Sequence, residues 1–277
     1  LSAGLRRVAA RWSMLLVVLG SWWGAALLEI PWAELFSDSA LQQAKAFLSG
    51  FAELNLTPEF LSRAASLVLE TLAMALVGTS LAAACAFVLA PLAARQLTID
   101  RFSTDVPGRR GWAWAPALLI WTAVRGLFQV TRALPELVWA LLFVVWLGPG
   151  PFAGALAVGA HTVGILGRLF GEVYEEVEVP PARAVERLGA SRLGIWAYAI
   201  LPQVAPRLAS YALFRFEVNV RATAMVGFVG AGGIGDALHT AISLFHMADL
   251  ATLLATLLVT VAAVDWIGDR LRARLIA

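Results

Sequence analysis

The residues of this chain that could do chemistry are ionisable groups set inside apolar stretches. Arg221 lies sixteen residues into a stretch that starts near Ala205, and Glu217 stands four residues before it on the same helical face. His161 lies in another such stretch, among alanine and glycine. Charges in an apolar medium are costly, so they pair with one another or face a wet cavity. We expect a Glu217–Arg221 ion pair or, alternatively, an Arg221 that lines a route for solute.

His161 has the same two interpretations. A lone histidine on an apolar helix most often makes a hydrogen bond to a neighbouring helix, and the alternative is a contact with a substrate. No metal-ligand companion stands at useful spacing from it. We group His161 and Glu136 with Arg221 and Glu217 as candidate pathway residues.

A glycine run between positions 230 and 235 matches the pattern G-x-G-x-x-G, through Gly230, Gly232 and Gly235, with Gly233 between them. This pattern binds dinucleotides when it joins a strand to a helix in a parallel sheet. The flanking segments here are long and apolar, and no second strand-like repeat follows. We therefore predict an irregular gate or hinge beside the pathway, because irregular backbone at membrane depth is tolerated only where protein or a wet cavity surrounds it.

Other kinds of site find little support. The chain shows no nucleophile–base set, no paired carboxylates of a soluble pocket and no phosphate-cradling Walker loop. Nucleic-acid binding needs a basic surface stripe, and none is visible. Cys85 is the single cysteine and lies in an apolar run, so we expect it to be a packing residue.

The composition identifies the class of protein. Of 277 residues, 60% are hydrophobic and 14% charged, and the mean hydropathy is +0.77, whereas soluble domains have roughly 25% charged residues. Crossing about 30 Å of hydrocarbon takes about 20 apolar residues in a helix. The sequence therefore predicts an all-α polytopic membrane protein with six spans, near 12–30, 64–94, 133–149, 151–172, 205–228 and 247–270.

The orientation follows from the arginines. With a cytoplasmic N-terminus, almost all arginines fall on inside segments, and the outside segments hold only Lys45 and Arg63. This is the positive-inside asymmetry of short loops. We expect both termini in the cytoplasm and the chain in the inner membrane of a bacterium.

Segment 112–131 is apolar enough to suggest a seventh span, which would place arginine-rich segment 168–192 outside. Its polar residues recur at steps of three and four, forming one stripe: Thr122, Arg125, Gln129 and Arg132. We therefore predict an interfacial cytoplasmic helix. The sequence GPGP at 148–151 then turns the chain between two spans, because such a proline pair cannot continue a helix.

The cytoplasmic loop between Glu172 and Pro202 predicts two short helices. The first covers 182–188 with Pro181 at its start, and Gly189 ends it. The second covers 192–201, and we expect Pro202 to stop it. Together they form a helix–glycine–helix projection.

This projection resembles the EAA loop of ABC importer permeases, through Ala184, Gly189 and the Leu201–Pro202 pair. The family's usual glutamate falls at Arg183 here, and Glu186 lies one turn later. The resemblance implies a coupling helix that docks in a cleft of an ATPase subunit. It assigns this coupling role to Ala182, Arg183, Ala184, Glu186, Gly189, Ala190, Leu201 and Pro202.

Residues 65–270 resemble the phosphonate importer permeases more specifically, through ETLAMALVGT at 70–79, RALPELVWALLFV at 132–144 and FEVNVRATAMVGFVGAGGIG at 216–235. The resemblance implies the type I ABC importer permease fold, with an N-terminal helix and periplasmic segment (1–62) before the core (63–277). It also implies transport of phosphonate or a reduced phosphorus oxyanion. If Arg221 lines the route, we expect it to make that route electropositive for the oxyanion.

The implied partners are two ATPase subunits, a periplasmic binding protein and a second permease subunit, expected to be identical, in contact with membrane lipid. ATP and magnesium belong to the ATPase subunits, and no cofactor is expected in this chain. Two alternatives stay open: a permease for methionine or another small solute, and a membrane oxidoreductase that uses the glycine run.

Overall fold

The structure is a computed structural model, which describes residues 3–28, 34, 36–95, 97–98 and 114–276. Every regular element in these ranges is a helix. The chain divides between Ala52 and Glu53 into two compact units. The second unit contains all the candidate site residues.

Among its described residues, the first unit has two helices, α1 (Ala3–Leu27) and α2 (Asp38–Gly50). Ser37 begins α2 by accepting a hydrogen bond from the amide of Ala40 at 3.2 Å, as residues at this position commonly do. The apolar part of α1, Trp12–Leu27, corresponds to the predicted span 12–30. Its large side chains are mostly exposed, as expected of a helix that lipid surrounds.

The second unit is built from nine helices within the described residues. In chain order they are α3 (Pro58–Ala93), α4 (Trp114–Ala133), α5 (Glu136–Leu147), α6 (Pro151–Glu175), α7 (Val179–Arg187), α8 (Arg192–Ile195), α9 (Leu201–Val226), α10 (Gly233–Ser243) and α11 (Met247–Ile276). A π-helical turn, Trp196–Ile200, joins α8 to α9.

Helices α3, α6 and α11 are each long and apolar enough to cross a membrane alone. Two further pairs of helices are long and apolar enough only when their members are taken together. They are α4 with α5, which meet at a bend of 90°, and α9 with α10, which meet at a bend of 60°. Predicted span 133–149 is thus wrong as an independent span, because α5 has 12 residues and rises about 18 Å. The interfacial position of segment 112–131 stays a prediction.

The centre of the second unit is the contact between α3 and α6. A Cβ at Gly78 would lie 2.7 Å from the carbonyl oxygen of Ala155, and one at Gly159 would lie 3.2 Å from the carbonyl oxygen of Gly78. The two backbones therefore approach as closely as glycine allows.

Helix α4 packs on the C-terminal half of α6. The ring of Phe128, which is 2% exposed, occupies the space beside Gly167, and its carbonyl oxygen lies against Gly164. Arg125 of α4 connects it to α3 and α6, because it donates to the carbonyl oxygen of Ala93 at 3.0 Å and to Glu175 at 2.5 Å. The polar stripe of α4 thus points at least partly toward protein.

The prediction that Pro202 stops a helix is wrong. Pro202 lies in the first turn of α9, which continues past Pro206 to Val226. A proline in the first turn loses no helical hydrogen bond, because its missing N–H has no partner there. The predicted second loop helix, 192–201, is instead a four-residue helix followed by the π-helical turn.

Candidate functional site

A buried polar cluster joins the three central helices halfway along their lengths. Asn219 on α9 donates to Thr79 of α3 at 2.7 Å and to Thr162 of α6 at 3.1 Å, and its Oδ1 lies 3.2 Å from the Thr162 hydroxyl. All three side chains are buried. In an apolar surround such groups must satisfy one another. This cluster could not be predicted from the sequence, because a single Thr or Asn in an apolar stretch has no distinguishing pattern.

His161 connects α6 to the start of α5. Its Nδ1 lies 2.9 Å from the carbonyl oxygen of Leu134, and its Nε2 lies 3.4 Å from Oε2 of Glu136. Because a carbonyl oxygen only accepts, Nδ1 bears the proton in this contact. The predicted hydrogen bond is therefore made to the linker between α4 and α5 rather than to a helix, and the second contact brings together two of the candidate pathway residues.

Arg215 lies next to these groups and was not predicted either. It is half-buried on α9, and its Nε lies 3.4 Å from the hydroxyl of Thr162. The carboxylate of Glu136 lies near enough to attract the positive charge of Arg215. The spacing of Arg215 and Asn219, four residues apart, places both on one helical face and could have revealed this site.

The predicted ion pair between Glu217 and Arg221 is wrong. Glu217, whose side chain is 5% exposed, bonds Arg272 of α11 and packs against Gly268. Arg221 instead bonds Asp265 of α11, at 2.9 Å. An i, i+4 pair contributes only about 0.5 kcal/mol, so opposite charges on a packed neighbouring helix easily replace it. Of the candidate pathway residues, His161 and Glu136 meet each other, whereas Glu217 and Arg221 face α11.

The glycine run forms a kink between α9 and α10. Gly230, Gly232 and Gly233 have φ values of +86°, +82° and +70°, a region that side chains with a Cβ rarely adopt. The carbonyl oxygen of Gly230 accepts from the amide of Gly150 at 3.0 Å, which attaches the kink to the turn that precedes α6. The predicted irregular backbone is therefore observed.

Two side chains of α3 occupy the N-terminus of α10. Oε1 of Glu70 accepts from the amide of Gly233, and the hydroxyl of Thr71 accepts from the amide of Ile234, each at 2.9 Å. A dinucleotide site would need these amides for the pyrophosphate, after a strand rather than a helix. The oxidoreductase alternative therefore has no site at this run.

A projecting elbow lies at the other end of the unit. Helix α7 ends at Arg187, and Gly189, at φ +80°, turns the chain while its amide donates to the carbonyl oxygen of Glu186 at 2.9 Å. Leu188, Leu193 and Tyr198 are 87%, 73% and 81% exposed. Gly189 thus ends the helix as predicted, and the elbow presents apolar side chains.

The base of the elbow is anchored in the core. Ala182, 1% exposed, packs in one cluster with Tyr174 of α6 and Ile200 of the π-helical turn. Gln203 accepts from the amide of Glu178 at 3.3 Å. Of the residues expected to couple to an ATPase, Ala182 therefore points inward and Leu201 is half-buried against the same cluster. The side chains of Arg183, Ala184, Glu186 and Pro202 are exposed, as is Gly189, and Ala190 is half-buried.

A cavity of about 240 Å³ lies between α4 and α6. Arginines from both helices and two glutamates from α6 line it, and the pairs Arg125–Glu175 and Arg168–Glu172 lie within 2.7 Å. Arg125 and Arg168 are therefore each paired with a carboxylate, whereas Arg132 bonds the side-chain oxygen of Gln129. Among the described residues, no group of three or more His, Cys, Asp or Glu side chains is placed to hold a metal ion.

Comparison with known proteins agrees with this architecture. Residues 110–277 match the family of binding-protein-dependent transport system inner membrane components. The fold is similar to that of a methionine ABC transporter solved in an inward-facing conformation, with a TM-score of 0.64 and 23% identity over 79% of this chain and 99% of that one.

Two relatives come from Stutzerimonas stutzeri. One is a putative phosphite transport system permease protein, 38% identical over 203 residues, which are 73% of this chain and 66% of the relative. The other is a phosphite transport system permease protein, 35% identical over 205 residues, 74% of this chain and 68% of the relative. This chain thus spans about two thirds of the length of both.

A third relative, from Escherichia coli K12, is a putative cryptic phosphonate transport system permease protein, 43% identical over 121 residues, 44% of this chain and 99% of the relative. The family match covers more than half of the chain and includes the elbow, Arg215, the glycine kink and all of α11. The chain therefore belongs to the family of inner-membrane components of binding-protein-dependent transport systems.

Proposed function

We propose that this chain is the permease subunit of an ATP-driven importer for a phosphorus oxyanion: phosphonate, phosphite or hypophosphite. The supporting observation is the similarity to phosphite permeases, at 35–38% identity over 203–205 residues. The solute would cross the inner membrane after delivery by a periplasmic binding protein, with both termini of this chain in the cytoplasm.

The elbow is the proposed attachment point for the energy-supplying subunit. Its exposed Leu188 and Leu193 would enter an apolar cleft of an ATPase subunit, since such anchors provide most of the free energy of an interface. Ala182, buried against Tyr174 of α6, makes the base of the elbow move together with a long helix. The two ATPase subunits bind ATP and magnesium. Their closure would move the elbow, and α6 would transmit that movement to the helices in the membrane.

The route would run beside the polar cluster and end at the glycine kink. The kink is attached to α3 by Glu70 and to the 148–151 turn by Gly150. Movement of α3 or of that turn would therefore move the kink. We propose that it acts as the outer gate. A second copy of this chain would complete the route, as the homodimer expected from the resemblance.

Methionine transport is the second candidate, since a probable D-methionine permease from Vibrio cholerae is 29% identical over 159 residues. That similarity is lower and shorter than the similarity to the phosphite permeases. The methionine transporter structure, at 23% identity, supports the fold and not the solute.

Uptake into proteoliposomes tests the proposal. The permease, its ATPase and its binding protein are reconstituted together, and ATP-dependent accumulation of phosphite, methylphosphonate and methionine is measured. Accumulation of a phosphorus compound, without methionine, is the expected result. Uptake of methionine alone would overturn the assignment.

The elbow is tested in the same system. Leu188→Asp should reduce binding of the ATPase subunit by about tenfold or more, the effect of losing about 1.4 kcal/mol of interface free energy. Leu56→Asp, a change of another exposed leucine away from the elbow, is the control and should leave ATPase binding unchanged. Equal binding by both variants would exclude the elbow as the docking site.

A further inference from the structure

Arg215 differs in its partners from five other arginines of the second unit. Arg125, Arg168, Arg207, Arg221 and Arg272 each lie within 4 Å of a carboxylate oxygen. Across the described ranges, Arg215 has no carboxylate at such a distance, and its one hydrogen bond is a long contact with a neutral hydroxyl, Thr162, at 3.4 Å. Its positive charge is therefore not neutralised by direct contact.

The position of Arg215 in the middle of a helix makes its unpaired positive charge costly. It lies fourteen residues after Leu201 and eleven before Val226, which places it about 21 Å and 17 Å from the two ends of α9. A cation at the middle of a membrane helix is expensive unless a partner or a wet cavity receives it. The guanidinium has five N–H donors, and four of them are unused here.

The neighbouring polar groups are already engaged with one another. Thr162, Asn219 and Thr79 form their own closed cluster, and Glu136 contacts His161. The hydroxyl of Thr162 already donates to Asn219, so the spare hydrogen-bond donors at this site are those of Arg215.

We propose that Arg215 is a substrate-contacting residue that binds a small tetrahedral phosphorus oxyanion midway across the membrane. The planar guanidinium can hold two oxygens of such an anion at once, and the hydroxyl of Thr162 lies beside it. This inference rests on the proposed function and extends it, because it places a second point of anion selectivity inside the permease. Arg221, bonded to Asp265, does not have this freedom.

The first test compares uptake with ATP hydrolysis in the reconstituted complex. Arg215→Gln should retain hydrolysis stimulated by the loaded binding protein within about twofold, while phosphite uptake falls by about tenfold or more, as for a lost charge-assisted hydrogen bond. Arg168→Gln, on the exposed face of α6, is the matched control and should transport like wild type. Wild-type uptake by an assembled Arg215→Gln complex would overturn the inference.

A second measurement does not depend on the folding of that variant. The wild-type permease–ATPase complex, without binding protein, is titrated with millimolar phosphite and observed by ³¹P NMR. Broadening of the phosphite signal that is weaker in Arg215→Lys is expected, because the ammonium group keeps the charge but loses the planar fork. No broadening with wild type would overturn the inference, whereas failure of the wild-type complex to import any phosphorus compound would overturn the proposed function itself.

Discussion

The carboxylate of Glu70 on α3 accepts a hydrogen bond from the amide of Gly233 at 2.9 Å, 163 residues further along the chain. The next residue, Thr71, does the same for Ile234. The first amides of a helix have no partner within the helix, so these two side chains satisfy them from outside. The proposed gate is thus attached to the longest span by two hydrogen bonds.

We predict that Thr71→Val destabilises the permease by about 1–2 kcal/mol, because the amide of Ile234 loses its acceptor in a buried position. Thermal unfolding in detergent measures this loss. Ser66→Ala, also on α3, is the control, since its exposed hydroxyl bonds only Arg63 of its own helix. Equal stability of the two variants would show that Thr71 does not hold α10.

A second prediction concerns the buried amide of Asn219. Asn219→Leu should cost about 1–3 kcal/mol, because the buried hydroxyl of Thr162 loses its acceptor and the oxygen of Thr79 loses its donor. Combining it with Thr79→Val should cost less than the sum of the two single changes, which a double-mutant cycle measures. Thr260→Val serves as the control, because its hydroxyl bonds only a carbonyl oxygen of its own helix. Strict additivity would indicate that Asn219 and Thr79 act independently.

The close contact between α3 and α6 yields a third prediction. Gly78→Ala should destabilise the permease by about 1–3 kcal/mol, since its Cβ would lie 2.7 Å from the carbonyl oxygen of Ala155 and force the helices apart. Gly126→Ala on α4 has open space around it and should be neutral or stabilising. Denaturant unfolding compares them, and a stable Gly78→Ala protein would refute the close approach.

The fourth prediction separates two roles of Arg221. If its function is the pair with Asp265, the neutral combination Arg221→Gln with Asp265→Asn should recover most of the expression and uptake that either single change removes. Double-mutant uptake that stays about tenfold below wild type, with normal assembly, would instead give Arg221 a role in solute passage.

Much of the fold was predictable because membrane insertion is governed by local composition. A window of about 20 apolar residues needs lipid around it, and the spans at 64–94, 151–172, 205–228 and 247–270 correspond to α3, α6, α9 and α11. The turn at Gly189 was equally local, since a glycine after a short helix supplies the positive φ that ends it.

The pairing of charges was not predictable in this way. Glu217 and Arg221 share a helical face, which suggested a bond between them, but the nearest opposite charges are Arg272 and Asp265 on α11. Whether a side chain meets its neighbour in sequence or a residue of another helix depends on interhelical distances of a few ångströms. A single sequence contains no record of those distances.

The amino-acid sequence alone determined the helical class, most of the spans and the helix-ending glycine of the elbow, because these depend on hydrophobicity and backbone freedom within a few turns. Only the tertiary structure decided that α4 and α5 meet at a bend of 90°, that Pro202 lies in the first turn of α9, and that Arg215 stands beside Thr162 with no carboxylate within 4 Å among the described residues. Those features result from packing between distant segments, where the competition among several neighbours selects the final contacts.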